Sequence, residues 1–173
     1  MALGALVVDI DNTLAINPGP FGPLTAEELK ERLLASGLGD DPVGDSPGHL
    51  AEARRIASLE PIEAVCAEVR RLGADLPVWY LSARPEWLRE ATLRWLDLHG
   101  LGEQGLPGFR ALLLRPHGDL RPTEEVKVEI FQTAIAPCLR TPMHDVALID
   151  DRPEIRALFS AMGLTVLDPA DQG

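Results

Sequence analysis

A chain of 173 residues suits one domain and can bury roughly 70% of its unfolded surface, enough for a continuous core. Hydrophobic residues at 46%, charged residues at 25% and a mean hydropathy of +0.02 exclude wholesale disorder and a membrane-embedded protein. With 27 acidic residues against 16 basic ones the net charge is −11, which excludes broad binding to nucleic acid or anionic membrane and requires a local basic patch for any phosphate-bearing partner.

The opening Met-Ala-Leu-Gly-Ala-Leu-Val-Val has no charged leader and is cut short by Asp9. It reads as a strand over residues 5–9, neither a signal peptide nor a spanning helix, so a cytoplasmic protein is expected. Residues 17–60 then depart from any regular rhythm. Dense in proline and glycine, with an acidic pair Asp40-Asp41 and one helical pattern over 25–34, they read as a partly helical insertion above the site. Pro61 and Gly73 bracket a helix over 62–72, in keeping with proline at the first turn and glycine just past the end. The apolar run 77–81 predicts the second strand, and Ser82-Ala83-Arg84-Pro85 turns into a helix over 86–98. Trp87, Leu88, Ala91, Leu93, Trp95 and Leu98 form its apolar face. A third strand over 111–114 leads to Thr123 and a helix over 124–135. A fourth over 146–149 is followed by Arg152-Pro153 and a helix over 154–162, and a fifth covers 164–167.

Near-continuous apolar strands alternating with helices predict an α/β fold. The expected architecture is a single domain over 1–173 with a doubly wound, Rossmann-like parallel sheet of about five strands, and 17–60 as a small loop-and-helix cap. Cys66 and Cys138 have neither CxxC spacing nor a Cys/His cluster around them and read as free thiols.

Ligands of such sheets bind beyond the carboxyl ends of the strands. Those positions hold Asp9-Ile-Asp11-Asn-Thr13 after the first strand, Ser82-Ala-Arg84 after the second, Arg115 to Arg121 after the third and Asp150-Asp151-Arg152 after the fourth. Four carboxylates on one edge repel one another unless a cation holds them ionised, and Mg2+ prefers oxygen ligands and phosphate. In Asp-x-Asp at a strand end the two side chains point the same way, so one can attack while the other handles protons. At this composition D-x-D-x-T occurs by chance roughly 0.04 times, and its placement after Leu6-Val7-Val8 strengthens the signal.

Simpler readings stand beside these. Asp150-Asp151 and Ser82 suit helix caps, Lys127 a surface lysine and Arg115 to Arg121 a solvated loop in which Asp119 pairs with a neighbouring arginine. Trp79, Trp87 and Trp95 fit packing roles better than base stacking, and His49, His99, His117 and His144 share no metal-ligand spacing.

Together the motifs resemble the haloacid dehalogenase superfamily of phosphotransferases: Asp9-Ile-Asp11-Asn-Thr13 its first motif, Leu81-Ser82 its second, Lys127 its third and Ala147-Leu-Ile-Asp150-Asp151 its fourth. Within it the chain is most similar to the 3′-phosphatase domain of phage-type polynucleotide kinase/phosphatases. That likeness rests on Leu81-Ser82-Ala-Arg84, Arg115-x-x-Gly118-Asp119-x-Arg121, Lys127-Val-Glu-Ile-Phe131 and Ile149-Asp150-Asp151-Arg152. Ala83 stands where that group commonly has glycine, and the segment after the first motif is longer.

The resemblance implies phosphoryl transfer through an aspartyl-phosphate. Asp9 is the implied nucleophile and a metal ligand, and Asp11 the acid and base, with its carbonyl on Mg2+. Ser82 and Lys127 are the implied binders of the phosphoryl group, and Asp150 and Asp151 further metal ligands. Arg84, Arg115, Arg121 and Arg152 are expected to line the approach, since the arginine fork suits phosphate oxygens. The sequence contains no G-x-x-x-x-G-K-[ST], so no fused kinase is expected. The expected activity is removal of a 3′-phosphate from a polynucleotide end. A phosphatase of nucleotides or sugar phosphates is the alternative that −11 favours, and a non-catalytic phosphate-binding module is a third.

Overall fold

A computed structural model describes residues 3–18 and 47–172. The helical pattern expected over 25–34 and the Asp40-Asp41 pair lie outside the described residues. Within the described residues five strands form one parallel sheet: β1 (Ala5–Val8), β2 (Val78–Pro85), β3 (Phe109–Arg115), β4 (Val146–Ile149) and β5 (Thr165–Leu167), in the order β3-β2-β1-β4-β5. Among the described residues five α-helices connect them: α1 (Pro47–Ala57), α2 (Glu63–Gly73), α3 (Arg89–Leu98), α4 (Thr123–Ile130) and α5 (Pro153–Ala161). None of the described helices is long and apolar enough to cross a membrane.

The period-two alternation of side chains sorts each strand onto two cores. Leu6 and Val8 join Val78, Tyr80, Leu112 and Ile149 under a layer containing Ile56, Val69, Trp95 and Leu96. Ala5 and Val7 join Trp79, Leu81, Val146 and Leu148 on the other face, against Phe131, Ile135, Ile155 and Phe159. Helices α1 to α3 therefore cover one face and α4 and α5 the other. Burial on both faces is why these strands read as unbroken apolar runs.

The chain builds outward from β1 to β2 and β3, then crosses over to place β4 on the opposite side of β1. The switch point of the winding lies between β1 and β4, whose register pairs Val8 with Ile149. A doubly wound sheet opens its ligand crevice at that place, and the next residue on each strand is an aspartate.

Several boundaries differ from the sequence expectation. β2 runs through Ser82, Ala83 and Arg84 to Pro85, with a register shift against β3 between Leu81 and Pro85. Such irregularities re-aim side chains. The helix expected over 86–98 begins as a 3-10 turn at Glu86–Leu88, and Leu98, expected on its apolar face, is exposed. Trp95 is fully buried and its indole N–H donates to the Leu59 carbonyl at 2.8 Å. α4 continues into a π-helical turn at Phe131–Ile135.

Candidate active site

The turn after β1 carries the first two aspartates. Amides of residues 13, 14 and 15 all point back to the Ile10 carbonyl, and Asn12 takes a left-handed conformation with φ 57° that asparagine tolerates better than most residues. The tight turn leaves Asp9 buried at the sheet edge and Asp11 half-buried beside it. Asp150 and Asp151 leave β4 at the same level, the Asp9 amide donating to the Ile149 carbonyl at 2.9 Å. One ligand oxygen from each of Asp9, Asp150 and Asp151 lies within 4.8 Å of the others.

Lys127 reaches this cluster from α4. Its Nζ lies 2.6 Å from Asp9 Oδ1 and 2.7 Å from Asp150 Oδ2, and the side chain is 2% exposed. That burial rules out a surface lysine. Thr13 donates through Oγ1 to Asp9 Oδ2 at 3.1 Å and accepts from the Asp151 amide at 3.0 Å, tying the two strand ends together. Asp150 accepts the Arg152 amide at 3.0 Å, so it organises the turn into α5 as well as facing the cluster.

Three carboxylates around one ammonium leave an excess of negative charge in a buried place. Burial, with Asp150 and Asp11 adding to it, outweighs Lys127 and pushes Asp9 up to about 7. Burial and Asp150 likewise raise Asp151. Burial opposes the charge on Lys127, but Asp9 and Asp150 overcome it and hold the ammonium above the ordinary lysine range. The donor set is all oxygen and short of positive charge, which suits a hard divalent cation.

Asp11 points elsewhere. Arg84 grips it from β2 with Nε at 2.9 Å from Oδ2 and Nη2 at 2.6 Å from Oδ1, and Asn17 donates to Oδ1 at 2.7 Å. Burial favours the neutral acid, but these donors outweigh it and hold the carboxyl below the usual carboxylate range. Arg84 also donates to Thr92 of α3 at 3.2 Å. Ser82 is fully buried on the same strand end and its Oγ accepts the Arg84 amide at 3.2 Å, so the hydroxyl shapes the strand end and does not cap the helix that follows.

The remaining arginines engage protein groups. Arg115 ends β3 buried and donates to the carbonyls of Ala83, Asp119 and Arg121 and to the Thr123 hydroxyl. It thereby closes the loop that turns at Gly118, where φ is +73° and glycine is the natural residue. Arg121 pairs with Asp119 and Glu129, and Arg152 with Glu124 and Glu154. Sequence reasoning did not single out Asn17, Thr92 or Arg55. Thr13 was at least visible as the last letter of D-x-D-x-T, whereas the other three enter the site only through the fold.

Residues 50–172 match the family described as the polynucleotide kinase PNKP phosphatase domain. The chain belongs to this family. It is a phosphatase of the haloacid dehalogenase superfamily. No curated protein matches it in sequence. Among solved structures, the "Pnkp1/Rnl/Hen1 complex" is similar at 20% identity and a TM-score of 0.63, over 96% of this chain and 46% of that one. The "Pnkp1/Rnl/Hen1 RNA repair complex" is similar at 20% identity and a TM-score of 0.64, over 96% and 42%. This phosphatase thus spans less than half the length of those relatives. The putative HAD-hydrolase YfnB of Bacillus subtilis, solved bound to magnesium, shares the fold at 15% identity and a TM-score of 0.55, over 96% and 86%.

Proposed function

We propose that the chain hydrolyses phosphomonoesters by way of a phosphorylated Asp9 and that its substrate is a polynucleotide 3′-phosphate. One observation carries the mechanistic part: Asp9, Asp150 and Asp151 converge at the switch point with Lys127 bridging the first two. The family match supports the substrate. So does the similarity of the fold to the Pnkp1 RNA repair complex, weighed against a net charge of −11 that favours a smaller ester.

In this reading Asp9, Asp150 and Asp151 would hold Mg2+ through their side chains, and Asp11 would do so through its backbone carbonyl. The ion would neutralise phosphoryl oxygens and keep the carboxylates ionised. Lys127 and Thr13 orient the Asp9 carboxylate, whose oxygen attacks phosphorus as the bond to the leaving alkoxide breaks. Asp11 supplies the proton that the alkoxide needs. It then takes a proton from the water that attacks the aspartyl-phosphate, which frees Asp9 and inorganic phosphate. Because Arg84 holds Asp11 ionised, Asp11 must draw a proton before the first transfer, and a substrate phosphate competing for Arg84 makes that easier. Ser82 and Lys127 bind the transferring group, and Arg84 is the arginine beside the proton-transfer group, whereas Arg115 is engaged by the Gly118 loop and Arg121 and Arg152 are each paired with two carboxylates.

The test compares 3′-phosphorylated oligonucleotides, 5′-phosphorylated oligonucleotides, 3′- and 5′-mononucleotides and sugar phosphates, with Mg2+ and with EDTA. The expected result is a kcat/KM for the 3′-phosphorylated oligonucleotide at least tenfold above the others, lost in EDTA and in Asp9→Asn. A preference for mononucleotides or sugar phosphates overturns the polynucleotide substrate. Full activity in Asp9→Asn overturns the mechanism.

A further inference from the structure

Asp11 is held on its second side by a chain of contacts that begins outside the catalytic motifs. Asn17 donates through Nδ2 to Asp11 Oδ1 at 2.7 Å, and its own Oδ1 accepts from Arg55 Nη1 at 2.7 Å. Arg55 lies on α1 and is itself clamped by both oxygens of Glu52, at 2.8 and 2.6 Å. Asn17 is buried, and the backbone on which it sits is pinned to the segment after α1. The Ile16 amide donates to the Glu60 carbonyl at 2.8 Å and the Ile62 amide to the Leu14 carbonyl at 2.7 Å.

The chemistry of this chain has a direction. An arginine side chain only donates, so Arg55 can face only the oxygen of the Asn17 amide. An ionised Asp11 only accepts, so the two partners together fix the amide, with Nδ2 toward Asp11 and Oδ1 toward Arg55. The arrangement loads Asp11 Oδ1 with donors from Asn17 and Arg84, while Oδ2 is contacted by Arg84 Nε. Both oxygens are thus held, with Arg84 Nε spanning them at 3.1 and 2.9 Å, and Oδ1 is the more heavily loaded of the two.

We propose that Arg55, acting through Asn17, is a positioning residue for Asp11, so that α1 sets the orientation of the proton-transfer group. This rests on the reading of Asp11 as the group that protonates the leaving alkoxide. A positioned proton donor contributes in proportion to how badly the leaving group needs a proton. Loss of the brace therefore falls on alkyl phosphates, whose alkoxides are strongly basic, and spares aryl phosphates with acidic phenols.

The experiment measures kcat/KM for a 3′-phosphorylated nucleotide ester and for 4-nitrophenyl phosphate, in wild type, Asn17→Ala, Arg55→Met, Arg55→Lys and Asp11→Asn, with thermal unfolding of each. Since kcat/KM covers the steps up to departure of the leaving group, breakdown of the intermediate does not mask the effect. Asn17→Ala and Arg55→Met should lose about 10- to 100-fold on the alkyl ester and no more than about 3-fold on the aryl ester, within the range of general acid catalysis. Arg55→Lys, which restores a donor to the Asn17 oxygen, should recover part of the loss. Equal losses on both esters, or none, in both brace variants while Asp11→Asn is selective overturn the positioning role alone. If Asp11→Asn itself shows no difference between the two esters, the underlying reading of Asp11 falls and the positioning role with it.

Discussion

Replacing Lys127 with methionine keeps the length of the side chain and removes its charge from between Asp9 and Asp150. At 2.6 and 2.7 Å, and with an effective dielectric of about 20, each contact carries a gross attraction of about 6 kcal/mol. Most of it offsets the desolvation of three buried charges, and breaking such a pair typically costs about 3–5 kcal/mol. Asp9 is already pushed up to about 7 and can shed its charge by binding a proton, so the loss falls at the low end, about 3 kcal/mol. In a domain of this size that lowers Tm by roughly 6–12 °C. The assay is calorimetry of wild type and Lys127→Met at pH 8 in EDTA and again in saturating Mg2+. Asp9, already raised, loses the cation beside it in the variant, so the penalty is full at high pH and fades as pH falls. Mg2+ should narrow the gap, because a cation among the three carboxylates replaces the missing ammonium. Two results would refute the reasoning: an unchanged Tm in EDTA, or a deficit that Mg2+ leaves untouched.

Other expectations follow from single contacts. Cys66 is buried and donates to the Leu14 carbonyl, while Cys138 is exposed, so a thiol reagent should titrate one group in the native protein and two after denaturation. Burial, with Glu63 adding to it, pushes Cys66 up to about 11. Its contribution is present below the ordinary thiol pKa and is lost as pH rises toward 11. Unfolding free energy should therefore fall by at most about 3 kcal/mol over that window, and Cys66→Ala should flatten the slope. Trp95→Phe leaves the Leu59 carbonyl without its indole donor and opens a small void, at a cost of about 2–3 kcal/mol by chemical denaturation. Arg115→Lys cannot reproduce the four donor contacts that close the Gly118 loop, and faster proteolysis or amide exchange over 116–122 should report the loss.

Much of the sheet edge that carries the candidate site was legible in the sequence because apolar runs buried on both faces end abruptly where the sheet ends. A charged residue directly after such a run must sit at the crevice, which places Asp9 and Asp150 without coordinates. Lys127 was legible only through its family motif, since a lysine in a helical pattern reads equally well as solvated. The second strand shows the limit of local signals. Serine and proline near Leu81 suggested a turn, but tertiary pairing with β3 carries the strand through Ser82 and Arg84 to Pro85.

The sequence by itself determined the order of the strands and of the helices after Pro61, the layers they form and the identity of the carboxylates at the strand ends, because these depend on periodicities of two and 3.6 residues and on residue chemistry, whereas the helix Pro47–Ala57 was not read from it. Tertiary structure alone decided how the charges are partnered. Arg84, expected to face substrate, grips Asp11, and Arg121 and Arg152 pair with nearby glutamates. Asn17 and Arg55, 38 residues apart, meet beside Asp11. Ion pairs between distant segments depend on crossover geometry to within an ångström or two, and no local pattern in a chain encodes that distance.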